Sequence, residues 1–474
     1  MKRYKRIVVL LAVLAVACVA TFAVSQYQEY KEEIETSDEV ILEIDPESVT
    51  TLSWSIDGQS LDFHKDESWL YDGDEAFPVD DEKITELLDQ FSEFGVAFII
   101  ENVEDYAQYG LDNPECTIDL ATEDQTYEIK LGDFSKMDEQ RYVDIGDGNV
   151  YLVSDDPMEA FNVELSDLIK DDEIPDFEQV SQIAFTGAES YTVTYEEDSG
   201  KSYSADDVYF NQDGQPLDTS LVDSYLSSLT NADLSEYVTY NATEEELEKY
   251  GMNDPELTVA VDYTYTDEDD KEVSDSITVS IARAPDDRED LDALEAESES
   301  DDSSSDATSD ITAYLRVGES QIVYKLSGDT FTTLIKASYD DLRHQQVFWG
   351  DFEDVTQIDV TLEDASHTIT SEKKDGERVY SYNDAEIDLT DFTTALEGLT
   401  ADRFADGETA GQEEISLTLH LDNENFPTVS IRITRYDGEL CLVEVDGETV
   451  SLVSRSEAMD LVEAVQAIVL GQNS

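Results

Sequence analysis

Basic residues are scarce in this sequence. Only 27 lysines and arginines stand against 115 aspartates and glutamates, which gives a formal net charge of -88. Nucleic acids and anionic lipid headgroups are bound through lysine and arginine, because these side chains neutralise phosphate. The composition therefore argues against nucleic-acid binding, and it predicts a solvated surface that attracts loosely held cations.

Cysteine is rare as well. The three cysteines are Cys18, Cys116 and Cys441, and they form no Cys-x-x-Cys pair. Such a set excludes a disulfide framework and gives no zinc-binding spacing. Since Cys116 and Cys441 fall in strand-like runs, we expect both to be small, unpaired residues of the core.

Histidine is similarly sparse and offers no metal site. His64, His344, His367 and His420 lie far apart in the sequence, whereas metal-binding motifs place their ligands at short, regular spacings. We expect each histidine at the surface or at a strand edge. No nucleophile elbow, phosphate-binding loop or dinucleotide fingerprint is present. The sequence therefore indicates no catalytic, cofactor-binding or metal-ligating residue and no cofactor.

Two weaker possibilities stay open. The turn at Asp144–Gly148 could bind Ca²⁺ weakly through its carboxylates, although it lacks a complete calcium loop. Trp54, Trp69 and Trp349, with the many tyrosines, could line a groove for a sugar or a peptide. Aromatic residues at strand positions are more often core or cross-strand pairs, so a core position is the simpler expectation for them.

Long apolar runs are confined to the N-terminus. Residues 7–24 contain no charge, glycine or proline, and Lys2, Arg3, Lys5 and Arg6 precede them. A helix of this length would reach about 27 Å, close to the bilayer core, and the positive-inside rule would leave its basic end in the cytoplasm. We expect residues 1–25 to be a cytoplasmic basic tip and transmembrane anchor of a single-pass cell-membrane protein with an extracytoplasmic body. Cleavage after Ala17 or lipidation of Cys18 are the alternatives.

Three stretches of the remaining chain begin alike. The strand starts Val49–Trp54, Val180–Phe185 and Val355–Val360 share one pattern. Alternating polar and apolar residues follow each start, and then an amphipathic helix. In the first stretch Ile84, Leu87, Leu88, Phe91 and Phe94 are expected to form one face of that helix.

These repeats predict an α+β fold. In this prediction an N-terminal transmembrane helix is followed by three repeated modules of antiparallel strands and hairpins with packed amphipathic helices. The predicted segments are a stalk at 26–47 and modules at 48–172, 173–350 and 351–474, with a disordered acidic insertion at 286–310.

The sharpest internal match aligns Glu104–Leu120 with Glu245–Val261 without gaps. In both copies a Tyr-Gly pair is expected to end a short helix, because glycine adopts the left-handed conformation without strain. An Asx-Pro turn then starts the next strand. The motif is therefore interpreted as a helix stop rather than a ligand loop.

The Tyr-Gly-Leu-x-x-Pro element at Tyr109–Pro114, with Trp69 and the segment Pro78–Ile84, resembles the signature of the bacterial DUF4340 domain family. The resemblance is closest over residues 48–170, weaker over 177–345 and weakest over 352–470. It implies no activity and no site residues. As a partner it implies an ABC-type export system, because members of the family resemble companions of such systems.

Taken together, the sequence predicts a non-enzymatic, membrane-anchored, extracytoplasmic accessory or binding protein. Its expected partner is an ABC-type transporter or another membrane protein complex. One alternative is a carboxylate-dependent hydrolase of cell-wall polysaccharide. The other is an acidic structural or cation-binding surface protein.

Overall fold

The computed structural model describes residues 39–471, except positions 102, 138, 154, 268–270, 289–310, 364, 375–376 and 406–410. The chain divides into two compact units, Met1–Asp171 and Asp172–Ser474. Within the described ranges the strands form one two-stranded, two eight-stranded and one nine-stranded sheet. All of their pairings are antiparallel.

Among its described residues, the first unit contains two α-helices and two sheets. Its elements are β1 Glu39–Leu42, β2 Val49–Ile56, β3 Gln59–Lys65, β4 Trp69–Tyr71, α1 Asp81–Asp89, β5 Phe94–Val96, β6 Phe98–Ile100, β7 Cys116–Thr122, β8 Thr126–Ser135, β9 Gln140–Asp144, β10 Val150–Val153 and α2 Pro157–Phe161. Strand β1, from the segment predicted as a stalk, pairs with β5. The other eight strands form the first large sheet in the order β4-β3-β2-β7-β8-β9-β10-β6.

The second unit contains the other two large sheets. The elements of its first half are β11 Gln179–Gly187, β12 Ser190–Tyr195, β13 Tyr209–Asn211, α3 Thr219–Thr230, β14 Tyr237–Thr239, α4 Glu244–Lys249, β15 Leu257–Thr266, β16 Glu272–Arg283, β17 Ala313–Val317, β18 Val323–Leu326, α5 Gly328–Ile335 and α6 Tyr339–Leu342. The second large sheet has the order β13-β12-β11-β15-β16-β17-β18-β14.

The rest of the second unit forms the third large sheet and two helices. Its elements are β19 Val355–Leu362, β20 Ala365–Lys374, β21 Glu377–Tyr382, β22 Ala385–Ile387, α7 Thr390–Glu397, β23 Ala401–Phe404, β24 Glu413–Leu421, β25 Thr428–Arg435, β26 Leu440–Val445, β27 Glu448–Ser454 and α8 Arg455–Gly471. The strand order is β22-β21-β20-β19-β24-β25-β26-β27-β23, which is the order of the first two large sheets with one added edge strand.

Each large sheet has one dry face. In β7, Cys116, Ile118 and Leu120 are buried, whereas Asp119 on the opposite face is exposed. The same alternation recurs along β24. Since successive side chains of a strand point to opposite faces, this pattern buries the apolar residues against helices and leaves the acidic residues in water.

The predicted helix positions are largely confirmed. Ile84, Leu87 and Leu88 are buried on α1. Phe91 and Phe94 are buried too, but they lie beyond the end of α1, and Phe94 begins β5. The apolar residues keep their helical spacing beyond the end of α1, because the chain turns there and the rings of Phe91 and Phe94 still point into the core.

The helix-stop motif is confirmed in both copies. Gly110 and Gly251 have φ angles of 72° and 76°. A Cβ atom on Gly251 would also lie 2.4 Å from the carbonyl oxygen of Arg283. The following residues, Leu111 and Met252, are buried, as expected for a residue that packs back on its helix.

The predicted fold class is wrong. An α+β protein with a transmembrane helix and three repeated modules was expected. The described residues are instead mostly antiparallel sheet, and the chain forms two compact units. Two of the sequence repeats share the second unit. Within it, Tyr203 in the loop before β13 stacks on Phe348 and packs at a tilt against Trp349, and both of these residues lead into the third large sheet.

The predicted single-pass membrane localisation is corrected as well. Among the described residues, no helix is both long and apolar enough to cross a bilayer. The longest of the described helices, α8, has 17 residues, and three of them are acidic: Glu457, Asp460 and Glu463. Residues 1–38, which include the predicted anchor at 1–25, and most of the predicted insertion, 289–310, lie outside the described part of the chain.

An arginine–glutamate pair occurs at the start of a central strand in every large sheet. The pairs are Arg141–Glu115 at 2.7 Å, Arg283–Glu256 at 2.7 Å and Arg435–Glu414 at 2.5 Å. The first two arginines are buried, and the Arg283 side chain is only 4% exposed. A buried cation is costly without a counter-ion. These pairs therefore hold each arginine against the beginning of the strand that carries or follows its glutamate.

We predict that Arg283→Ala lowers the free energy of unfolding of the second unit by about 3–5 kcal/mol, since it removes the buried guanidinium that contacts the Glu256 carboxylate. The only other cation beside that carboxylate among the described residues is Arg288, whose Nε lies 3.8 Å from Oε2. The matched control is Arg432→Ala. Arg432 is 49% exposed and pairs with Glu413 and Glu444 at the surface, so its loss should cost less than about 1 kcal/mol. Urea unfolding followed by circular dichroism measures both. Equal losses would contradict a special role for the buried pair.

Candidate functional site

A buried carboxylate with three side-chain partners belongs to Asp207, in the loop between β12 and β13. Its side chain is 2% exposed. Ser202 Oγ donates to Oδ2 at 2.5 Å, and Trp349 Nε1 donates to the same oxygen at 2.9 Å. His344 Nε2 lies 2.8 Å from Oδ1. We call Ser202, Tyr203, Asp207, His344 and Trp349 the Asp207 cluster.

The rings of the cluster form a stack. The His344 and Trp349 ring centroids are 4.3 Å apart with an interplanar angle of 9°. The Tyr203 ring lies 4.6 Å from Trp349 and 5.3 Å from Phe348. Offset stacking of this kind adds to the free energy gained by burying the rings. The stack joins the loop before β13 to the segment that leads from α6 into β19.

A second carboxylate faces the same histidine. His344 Nδ1 lies 3.5 Å from Asp218 Oδ2. Asp218 caps α3, where its side chain accepts from the backbone N–H groups of Ser220 and Leu221. The imidazole therefore connects three parts of the second unit, namely the loop before β13, the start of α3 and the segment after α6.

The order of groups in the cluster decides its chemistry. A serine nucleophile is activated when an imidazole lies between its hydroxyl and a carboxylate, because the imidazole takes the hydroxyl proton. Here the Asp207 carboxylate lies between Ser202 and His344, and the Ser202 hydroxyl donates to that carboxylate. This geometry holds the segments together and does not prepare Ser202 for attack.

The sequence did not predict the cluster. His344 was expected at the surface, and this was wrong, because its side chain is only 10% exposed. Its partner Asp207 is 137 residues away in the chain. Local spacing carries no information about such a pair, and the one available signal was Trp349 close to His344 in an apolar segment.

The other three histidines lie on strands. His64 contacts Asp72 and is 37% exposed. His367 Nδ1 lies 2.9 Å from the Tyr382 hydroxyl. His420, which is 34% exposed, lies 2.7 Å from Asp359. The expectation of surface or edge positions is confirmed for His64 and His420.

Asp359 is the centre of a polar group on β19. Burial acts to raise the pKa of Asp359, but hydrogen bonds from Thr368, His420 and Gln357 outweigh it and lower the pKa. The donor distances are 2.8, 2.7 and 2.9 Å respectively. These neighbours favour the charged carboxylate, so it accepts bonds and does not act as a proton donor near neutral pH.

The carboxylates of the Asp144–Gly148 turn are occupied by the turn itself. Asp144 accepts from the Gly146 backbone at 2.8 Å, and Asp147 accepts from Asn149 and from the Tyr151 hydroxyl. Across the residues that the structure describes, no group of three histidine, cysteine or acidic side chains is arranged to hold a metal ion. The hypothesis of weak Ca²⁺ binding stays a prediction.

The cysteines and two of the tryptophans are core residues. Cys116 and Cys441 are buried and unpaired, as predicted. Burial raises the pKa of the Cys116 thiol to about 12, which leaves almost no thiolate near neutral pH. Trp54 and Trp69 are 3% and 2% exposed, so they cannot line an open groove.

Two depressions of the second unit are lined by acidic residues. One, of about 380 Å³, lies between Tyr195, Tyr209 and α3 and includes Asp176, Glu178 and Asp223. The other, of about 500 Å³, runs between α7 and α8 and includes Asp391, Glu457, Asp460 and Glu463. Among the residues that the structure describes, the lining of both depressions includes no lysine or arginine.

Comparison with protein families agrees with the resemblance seen in the sequence. The model described as "Domain of unknown function (DUF4340)" matches residues 69–213 and 208–418. The two matches together span most of the chain, and the chain belongs to the DUF4340 family. Searches among curated proteins and among solved structures found no match.

Asp207→Ala is expected to lower the free energy of unfolding of the second unit by about 3 kcal/mol or more, because it leaves two buried donors without an acceptor. Exchange of the Trp349 indole proton, followed by NMR, should become faster. Asp206→Ala is the matched control. Asp206 is an exposed neighbour, and its replacement should change stability by less than about 0.5 kcal/mol. Wild-type stability of Asp207→Ala would refute the structural role.

His64 gives a pH prediction. The hydrogen bond to Asp72 is the main cause that raises the pKa of His64 above 6.5. A raised folded-state pKa means that this contact stabilises the fold fully below pH 6.5 and that the contribution is lost as pH rises through the folded-state pKa. In an NMR titration, Asp72→Asn should move the His64 midpoint back towards 6.5. A midpoint that Asp72→Asn leaves unchanged would rule out this cause.

Proposed function

We propose that this chain is a non-enzymatic accessory or binding protein. The observation that carries the proposal is the Asp207 cluster, in which serine, histidine and aspartate hold segments of the second unit together. Both carboxylate oxygens are engaged, and the histidine faces carboxylates on both sides. These side chains therefore serve to hold the second unit together.

The surface features support a binding role. Acidic depressions lie on the second unit, and their lining residues contain carboxylates without a neighbouring lysine or arginine among them. A partner that supplies cations would find complementary charge there, which favours both association rate and specificity. The partner that we propose is an ABC-type export system or another membrane protein complex, as the family resemblance implies.

The hydrolase alternative has one observation in its favour. The depression beside Tyr195 and Tyr209 contains carboxylates and aromatic rings, as polysaccharide clefts do. Two of those carboxylates are already engaged, since Glu178 accepts from Thr266 and Asp223 from the Tyr209 hydroxyl. The accessory role is therefore the better supported proposal. The structural or cation-binding alternative stays a prediction.

The test is affinity purification of the full chain from gently solubilised membranes of the cells that produce it. We expect a defined membrane complex to be retained by the wild-type chain. Retention should weaken with rising salt, because salt screens the attraction between opposite charges, which already extends over only about 8 Å at physiological ionic strength.

Two results would overturn the proposal. One is the repeated absence of any retained membrane protein. The other is release of reducing sugar from cell-wall polysaccharide by the purified chain, abolished by Asp223→Asn, which would favour the hydrolase.

A further inference from the structure

Helices α7 and α8 lie side by side on the third large sheet. Phe392 and Leu396 of α7 and Leu461 of α8 have no exposed surface, and Val465 of α8 is only 1% exposed. These side chains fix both helices to the sheet. The upper sides of the two helices face away from that core and border a groove.

The floor of the groove is made of small residues. Ala395 and Gly398 come from α7 and its end, and Ala464 and Ala467 come from α8. A second depression of about 220 Å³ adjoins it and shares Asp391, Ala464 and Ala467. It adds apolar side chains from Ile387 and Ile468. Small residues let the backbone of another element approach closely, so the groove is shaped for a rod-like partner.

The walls of the groove are acidic. The lining carboxylates of the two adjoining parts are Asp388, Asp391, Glu457, Asp460 and Glu463. One of them has an oxygen in a poorly hydrated position, since Glu457 Oε2 is buried without a hydrogen-bond partner among the described residues. Burial is also the main cause that raises the pKa of Glu457. The exposed carboxylates of the groove, such as Asp391, Asp460 and Glu463, are the ones that a lysine or arginine of a partner can reach.

We propose that the groove between α7 and α8 binds an amphipathic helix of a partner protein. The helix would present small or apolar side chains to the floor and lysine or arginine side chains to the walls. The inference rests on the proposed binding function and names the chemistry of the partner.

Charge decides between this occupant and others. A second copy of the chain would bring two acidic surfaces together, in a protein with a net charge of -88, and anionic lipids would be repelled in the same way. A helix fits better than an extended strand, because a groove between two packed helices matches the ridges of a third helix.

The test uses a synthetic helical peptide with alanine and leucine on one face and lysines along both edges. Its affinity for the full chain is measured by fluorescence anisotropy. The decisive variant is Ala467→Trp, which fills the groove without changing any charge, at a residue that is exposed. We expect it to weaken binding at least about tenfold, because the peptide loses its apolar contact area.

Charge variants form the second arm. The double variant Asp391→Lys/Glu463→Lys should also weaken binding at least about tenfold. Glu397→Lys is the matched control, since Glu397 is an exposed carboxylate of α7 outside the groove lining; it should change the affinity less than about twofold. A peptide with glutamates in place of the lysines should not bind. Circular dichroism and melting temperature confirm folding, and the charge variants decide if Ala467→Trp does not fold.

Three results would overturn the groove assignment. The first is unchanged peptide affinity in Ala467→Trp. The second is equal weakening by Glu397→Lys and by the double variant, which would mean nonspecific attraction to an acidic protein. The third is a dimer in analytical ultracentrifugation that Ala467→Trp dissociates, which would assign the groove to a second copy of the chain.

The two proposals fail separately. If Ala467→Trp retains the membrane complex as well as the wild type does, the binding function stands and the groove is wrong. If the peptide binds through the groove but no membrane protein is ever retained, the groove stands and the accessory role falls.

Discussion

Carboxylate hydration is the constraint on which the rest of this structure depends. With 115 acidic and 27 basic residues, most carboxylates have no cation to pair with and must stay in water, because burying an unpaired charge is costly. A sheet with one dry face satisfies this condition. The strands direct apolar residues to the buried face and acidic residues to the solvent. The three large sheets repeat this arrangement with one strand order, to which the third sheet adds an edge strand.

The few cations inside are therefore placed where carboxylates cannot avoid burial. Arg141 pairs with Asp156, whose side chain is 9% exposed, and Arg283 pairs with Glu256, whose side chain is 15% exposed. Asp207 is satisfied differently, by the hydroxyl, indole and imidazole groups of Ser202, Trp349 and His344. In both arrangements the buried ionisable and polar side chains stabilise the fold. The same shortage of cations leaves the groove between α7 and α8 acidic, which is the property that a basic partner would recognise.

The proposed function follows from this contrast between buried polar groups, which stabilise the fold, and acidic groups at the surface. Ser202, Asp207 and His344 are committed to packing, and acidic depressions lie on the surface of the second unit. Binding needs only shape and charge, and both are available on α7 and α8. The family to which the chain belongs adds no catalytic residue to this picture, because its description assigns no function.

Local chemistry was readable from the sequence. The alternation along β2, β11 and β19, the buried face of α1, the left-handed glycines Gly110 and Gly251 and the unpaired core cysteines all depend on residues close together in the chain, so the pattern alone determined them. The family resemblance rested on the same local capping motif. Tertiary structure decided what distant residues do together. The contacts of Tyr203 with Phe348 and Trp349 join two of the sequence repeats within one compact unit, and the contact of His344 with Asp207 forms the cluster. The groove likewise exists because α7 and α8 are neighbours, although they are separated by five strands. Such contacts depend on which surfaces meet after folding, and the spacing of residues along a chain does not contain that information.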